Sequence, residues 1–124
     1  MILSEEVWRA KAEKKAKAVA HHHNVYVIEL DPKVMKDRKF RGANKGCDPL
    51  KPCLYVGSTG LAPEERFENH KCGYKANRYV TRYGLRLRPD LYACYNPMPY
   101  AAAVELEIEL ATGLREDGCA VWQA

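Results

Sequence analysis

Arg66 and His70 stand four residues apart in LAPEERFENHK, residues 61–71. On a helix this spacing puts both side chains on one face, one turn apart. Arginine stays charged at neutral pH and meets a phosphate with parallel N–H donors. Histidine titrates near neutrality and can exchange a proton with a phenol or a water. Upstream, two tyrosines sit in short apolar frames, Asn24-Val25-Tyr26 and Tyr55-Val56-Gly57. Tyrosine in a strand is more often half-buried packing, but two phenols facing one pocket offer proton donors and acceptors beside a reacting phosphate. Downstream, AVELEIELATGL carries Glu105, Glu107 and Glu109. At helical spacing Ala103, Val104, Leu106, Leu110, Ala111 and Leu114 define the core-facing side, and Glu107 falls within it. Glu105 and Glu109 point away. A carboxylate drawn toward a core needs a partner or a metal, because burying it alone is costly.

The elements that must position these residues follow from local signals. Ser4 to Ala20 reads as a peripheral helix capped by Ser4, and His21 to His23 as a solvated connector. NVYVIEL, residues 24–30, is β-branched and aromatic, a first strand. Residues 31–52 are polar, basic and turn-rich, an insert or long loop. Leu54 to Gly57 is a second strand. Pro63 opens a helix with Glu64 and Glu65 in its first turn, and Gly73 stops it near Cys72. Asn77 to Tyr83 is a shorter helix ended by Gly84. Leu85 to Tyr95 is strand material interrupted by Pro89. A last helix runs from Pro99 to Asp117, and CAVWQA is a final extended piece. The order predicts one α+β domain over 24–124, a small, mostly antiparallel three-stranded sheet flanked by helices, with residues 1–23 as an N-terminal helical extension.

The chain has 124 residues, five cysteines and a formal net charge of +4. No apolar run reaches the ~18 residues of a membrane span, and the N-terminus has no apolar signal core, which argues against a membrane protein. An odd cysteine count without a framework pattern suits free thiols in a reducing cytoplasm. Cys47, Cys53, His70 and Cys72 are spaced more loosely than the paired ligands of structural zinc. The charge is segregated. Lys71, Lys75, Arg78, Arg82, Arg86 and Arg88 occur with no acid between them, and residues 31–51 hold seven bases against three acids. Residues 101–117 hold five acids and one arginine. A basic stripe attracts phosphates, with Tyr74, Tyr79 and Tyr83 interleaved as stacking or packing groups.

Tyr26 in a short strand, Tyr55-Val56-Gly57, Arg66 nine residues later, His70 one turn on and a glutamate in a later helix together resemble the GIY-YIG nuclease superfamily. The resemblance covers about residues 24–124. It implies a metal-dependent endonuclease that cuts phosphodiester bonds in DNA, RNA being the less favoured substrate, with one Mg²⁺ or Mn²⁺ per active site. By that resemblance Tyr26 and Tyr55 are the motif tyrosines, one of them activating or positioning the attacking water. Arg66 grips the scissile phosphate, His70 assists the tyrosine as base, Glu107 ligates the metal and Gly57 keeps the strand end open. Many members have an asparagine beyond the metal glutamate; none occurs after Asn96 here, and Gln123 is the candidate substitute. The first motif reads Asn-Val-Tyr rather than Gly-Ile-Tyr, and the insert 31–52 lengthens the path between the tyrosines. The Lys71–Arg88 segment would track the nucleic-acid backbone. A non-catalytic nucleic-acid-binding module on the same fold is the alternative, and a protein-interaction domain a third. With no second targeting domain in the chain, targeting would come from the insert, the N-terminal helix, a protein partner or a homodimer.

Overall fold

The computed structural model describes residues 21–124. The helix expected over residues 4–20 lies outside the described residues. Strand β1 (Asn24–Leu30) is followed by a 3-10 turn (Pro32–Lys36) and helix α1 (Arg38–Ala43). Strand β2 (Cys53–Thr59), helix α2 (Pro63–Cys72), helix α3 (Arg78–Tyr83) and strand β3 (Gly84–Leu87) come next. Helix α4 (Tyr100–Glu116) and strand β4 (Ala120–Gln123) close the chain. The elements expected over 24–124 occur in the expected order, with one further helix, α1, inside the stretch expected as an insert or long loop. Two extents differ: β2 reaches two residues past Gly57, and the stretch after Pro89 forms 3-10 turns rather than strand.

The sheet corrects the sequence reading. It has four strands in the order β3-β1-β2-β4 and is mixed, not three-stranded and antiparallel. β1 pairs antiparallel with β2 over its whole length, from Asn24↔Thr59 to Leu30↔Cys53, and antiparallel with β3 on its other side. The final extended piece pairs parallel to β2, with Tyr55 beside Trp122 and Val56 beside Gln123. α4 carries the chain back along the sheet, so the strand after it runs in the direction of β2.

Alternation along the strands divides the sheet into two faces. Tyr26, Ile28 and Leu30 share one face with Cys53, Tyr55, Gly57 and Trp122. Val25, Val27, Leu54, Val56 and Val121 form the other, all fully buried. α4 covers this second face with Ala103, Glu107, Ala111 and Leu114. The inward stripe is therefore centred on Glu107. Val104, expected in the core, is exposed together with Ile108, because the small alanines at 103 and 111 face the sheet and turn Val104 off that line.

The insert is structured. Asp37 caps α1 by accepting from the Phe40 N–H, and Phe40 is fully buried against Tyr79 and Trp122. Asn44, also buried, donates to the Phe40 carbonyl at 2.9 Å and accepts from the Val121 N–H at 2.7 Å. One amide thus ties the insert to the edge strand. Asn96 does the same for β1 beyond the end of β3, bonding the Val25 N–H and C=O at 2.9 and 2.7 Å. Among the described residues no helix is long and apolar enough to cross a membrane.

Candidate active site

Tyr26 lies on the central strand, opposite Gly57. Its phenol leans over that glycine. A Cβ at position 57 would sit 2.6 Å from the Tyr26 hydroxyl and 2.7 Å from Cζ, so the close approach requires glycine. The role given to Gly57 in the sequence thereby acquires a concrete form: it makes room for the phenol.

Helix α2 starts at Pro63 and ends at Gly73, whose φ of 87° closes it in the left-handed region. Its inward face delivers His70, fully buried, with Nε2 2.9 Å from the Tyr26 hydroxyl. The other ring nitrogen, Nδ1, accepts the Asn77 backbone N–H at 3.1 Å. A backbone N–H only donates, so Nδ1 carries no proton. Burial, and then the charge of Arg66, push the His70 pKa down to about 4. The ring is neutral near pH 7, its proton is on Nε2, and His70 donates to the Tyr26 oxygen. The resting arrangement is thus the reverse of a histidine that accepts the phenol's proton. Tyr26 keeps its own O–H to offer elsewhere. Thr81 fixes the same turn by donating to the His70 carbonyl at 2.7 Å.

Tyr55 joins this cluster, its ring 5.4 Å from His70 and 6.1 Å from Tyr26. Burial raises both phenol pKa values, that of Tyr26 far above the ordinary range. Arg66 opposes the shift at both, since its positive charge favours phenolate. The guanidinium is half-buried and anchored by an Nη2 donation to the Lys75 carbonyl at 2.8 Å, where Lys75 has a positive φ of 46°. Four of the five residues singled out in the sequence therefore converge.

Glu107 comes from the opposite layer. Only 8% exposed, it receives the Gln123 Nε2 donation at 2.9 Å on Oε2. Gln123 is the last residue of β4. The Glu107 charge contributes to raising Tyr55, which places the carboxylate within electrostatic reach of that phenol. No hydrogen bond or ion pair joins Glu107 to Tyr26, Arg66 or His70 among the described residues. Its Oε1 accepts no hydrogen bond from them either. No trio of His, Cys, Asp or Glu suited to a metal occurs among the described residues. A cation at Glu107 would thus have one hard carboxylate and otherwise water, a donor set that fits Mg²⁺ or Mn²⁺ and not a thiolate-bound metal.

The basic residues divide. Arg86 and Arg88 are paired with Glu29 at 3.1 and 2.9 Å, and Arg88 also with Asp90 at 2.9 Å. Lys71 donates to the carbonyls of Thr81 and Gly84. Arg78 lies over Tyr79 and faces Asp37 at 3.8 Å, Arg82 lies over Tyr83, and Lys75 over Tyr74. Tyr79 is buried and donates to Asp37, a packing role, whereas Tyr74 is exposed. Sequence reasoning missed Asn77, which sets the histidine tautomer. Its only signal was its place before a helix, where it also caps α3. Trp122, beside Tyr55, was read only as part of an extended piece.

Comparison with protein-family models, curated proteins and solved structures finds no match to this chain.

Proposed function

We propose that this protein is a metal-dependent endonuclease that hydrolyses phosphodiester bonds in DNA. The observation that carries the reading is the cluster of Tyr26, Tyr55, Arg66 and a neutral His70, with Gly57 making room for the first phenol. Arg66 binds non-bridging oxygens of the scissile phosphate as a fixed positive charge in a partly dry site. Tyr26, held by the His70 N–H, turns its own O–H toward a non-bridging oxygen of the phosphate. Charge that develops on the Tyr26 oxygen is stabilised by that N–H and by Arg66. Tyr55 feels both the positive charge of Arg66 and the negative charge of Glu107 and orients the substrate from the second strand. Glu107, steadied by Gln123, would hold Mg²⁺ or Mn²⁺, which when bound supplies Lewis-acid stabilisation of the leaving oxygen.

One observation favours a second reading, a nucleic-acid-binding module without efficient chemistry. Burial holds the Tyr26 phenol far above its ordinary pKa, so phenolate is scarce in the free protein. Nicking of supercoiled plasmid with Mg²⁺ or Mn²⁺ separates the two. The nuclease reading expects cleavage that drops about 10²- to 10³-fold in Glu107→Gln and in Arg66→Ala. Plasmid left equally intact by wild type and both variants selects the binding module.

A further inference from the structure

Residues 31–51 contain three acids and seven bases, and the structure sorts them. All three acids turn to backbone N–H groups. Asp31 accepts from Lys33, Asp37 from Phe40 and Asp48 from Leu50, each at 2.9 Å. All seven bases are exposed. Among the described residues none of Arg38, Lys39 and Lys45 has an ion-pair partner, and Arg41 uses one Nη on the Met35 carbonyl. The insert therefore shows solvent a surface of seven bases against three acids, each acid turned to a backbone N–H and Asp37 also to Tyr79 and Arg78.

That surface borders the candidate site. Phe40 docks α1 on Trp122, and Lys39 Nζ lies 5.6 Å from the Trp122 ring. Trp122 is the register partner of Tyr55 on the same sheet face, one strand spacing of about 4.8 Å away. The β3 arginines, by contrast, are neutralised by Glu29. α4, over the other face, exposes Glu105, Glu109 and Glu116, which repel a polyanion.

We propose that the insert is the principal phosphate-binding wall for duplex DNA at this site, with Arg38, Lys39, Arg41 and Lys45 contacting the backbone beside the Tyr26–Arg66 cluster. The identity of the site rests on the nuclease reading; the contact surface is tested apart from it. The buried anchors Phe40 and Asn44 hold α1 in place before DNA arrives, so little ordering cost opposes binding.

Fluorescence anisotropy of a short labelled duplex in EDTA, titrated with sodium chloride, reads binding without cleavage. Each lost phosphate contact lowers the log–log salt slope by about 0.9. The variant R38A/K39A/R41A/K45A is expected to lose about 3.6 slope units and to bind at least tenfold more weakly at low salt, while Arg86→Ala changes the slope by less than about one. A quadruple variant with the wild-type slope overturns the proposal, as does Arg86→Ala removing most of it. If circular dichroism shows the quadruple variant unfolded, Lys39→Glu and Arg38→Glu separately carry the test, each expected to lower the slope by one unit or more. Either one leaving it unchanged overturns the assignment. Binding through α1 without plasmid cleavage keeps this proposal and ends the nuclease reading. Cleavage with an unchanged slope in the quadruple variant does the reverse.

Discussion

The Tyr26 hydroxyl and His70 Nε2 stand 2.9 Å apart, and the proton between them belongs to the histidine. The Asn77 N–H on the far side of the ring decides this. A buried histidine held neutral has a consequence for stability. The unfolded chain takes up a proton at this residue with a midpoint of 6.5, whereas the folded chain resists until about pH 4. Stability from His70 is therefore fully present above pH 6.5 and is lost as pH falls toward 4, to the extent of about 2 to 3 kcal/mol. Urea unfolding at steps between pH 7.5 and 4 is expected to show this slope, and His70→Gln to flatten it. An equal slope in the variant would show that other groups carry the dependence.

Arg66 couples the cluster electrostatically. Its charge lowers the His70 pKa and the pKa of both phenols. In Arg66→Ala the histidine is expected to titrate closer to its ordinary value, followed by NMR of the imidazole protons. No movement of the His70 midpoint would mean that burial alone sets it.

Glu107 acts in the opposite sense on Tyr55. Glu107→Gln keeps an oxygen for Gln123 but removes the charge, so the Tyr55 phenol is expected to titrate at lower pH in an ultraviolet titration. This readout is independent of cleavage. A Tyr55 midpoint unaltered in the variant would separate the carboxylate from the phenol cluster.

Gly57→Ala tests the close approach. The added Cβ would meet the Tyr26 hydroxyl at 2.6 Å and must displace the phenol from His70. A destabilisation of about 1–3 kcal/mol is expected from such overpacking, together with loss of plasmid nicking. Thermal melts that match wild type would show that the ring moves freely and that the glycine is not needed for it.

Asn44→Ala leaves the buried Val121 N–H without its 2.7 Å acceptor. A cost of about 1–3 kcal/mol is expected, seen as a lower Tm. Because this bond joins the insert to β4, DNA affinity should fall alongside stability. Unchanged melting would show that the insert is held by Phe40 alone.

Much of the frame was legible because it depends on neighbours in the chain. Pro63 and Gly73 bound α2, and the spacing of Arg66 and His70 put them on one face. The stripe around Glu107 is readable as a carboxylate among apolar positions, although the structure turns Val104 out of it. Helical periodicity alone leaves the centre of such a stripe free by one residue in either direction. The insert read as a loop because its two anchors, Phe40 and Asn44, find partners far along the chain.

By itself, then, the sequence determined the local elements, the segregation of charge and the set of side chains able to handle a phosphate. The fourth strand, the side from which Glu107 arrives, the neutral tautomer of His70 and the pairing of Arg86 and Arg88 with Glu29 were decided by tertiary structure alone. Each depends on a contact between residues distant in the chain, and neither composition nor periodicity encodes which acceptor a given N–H will meet.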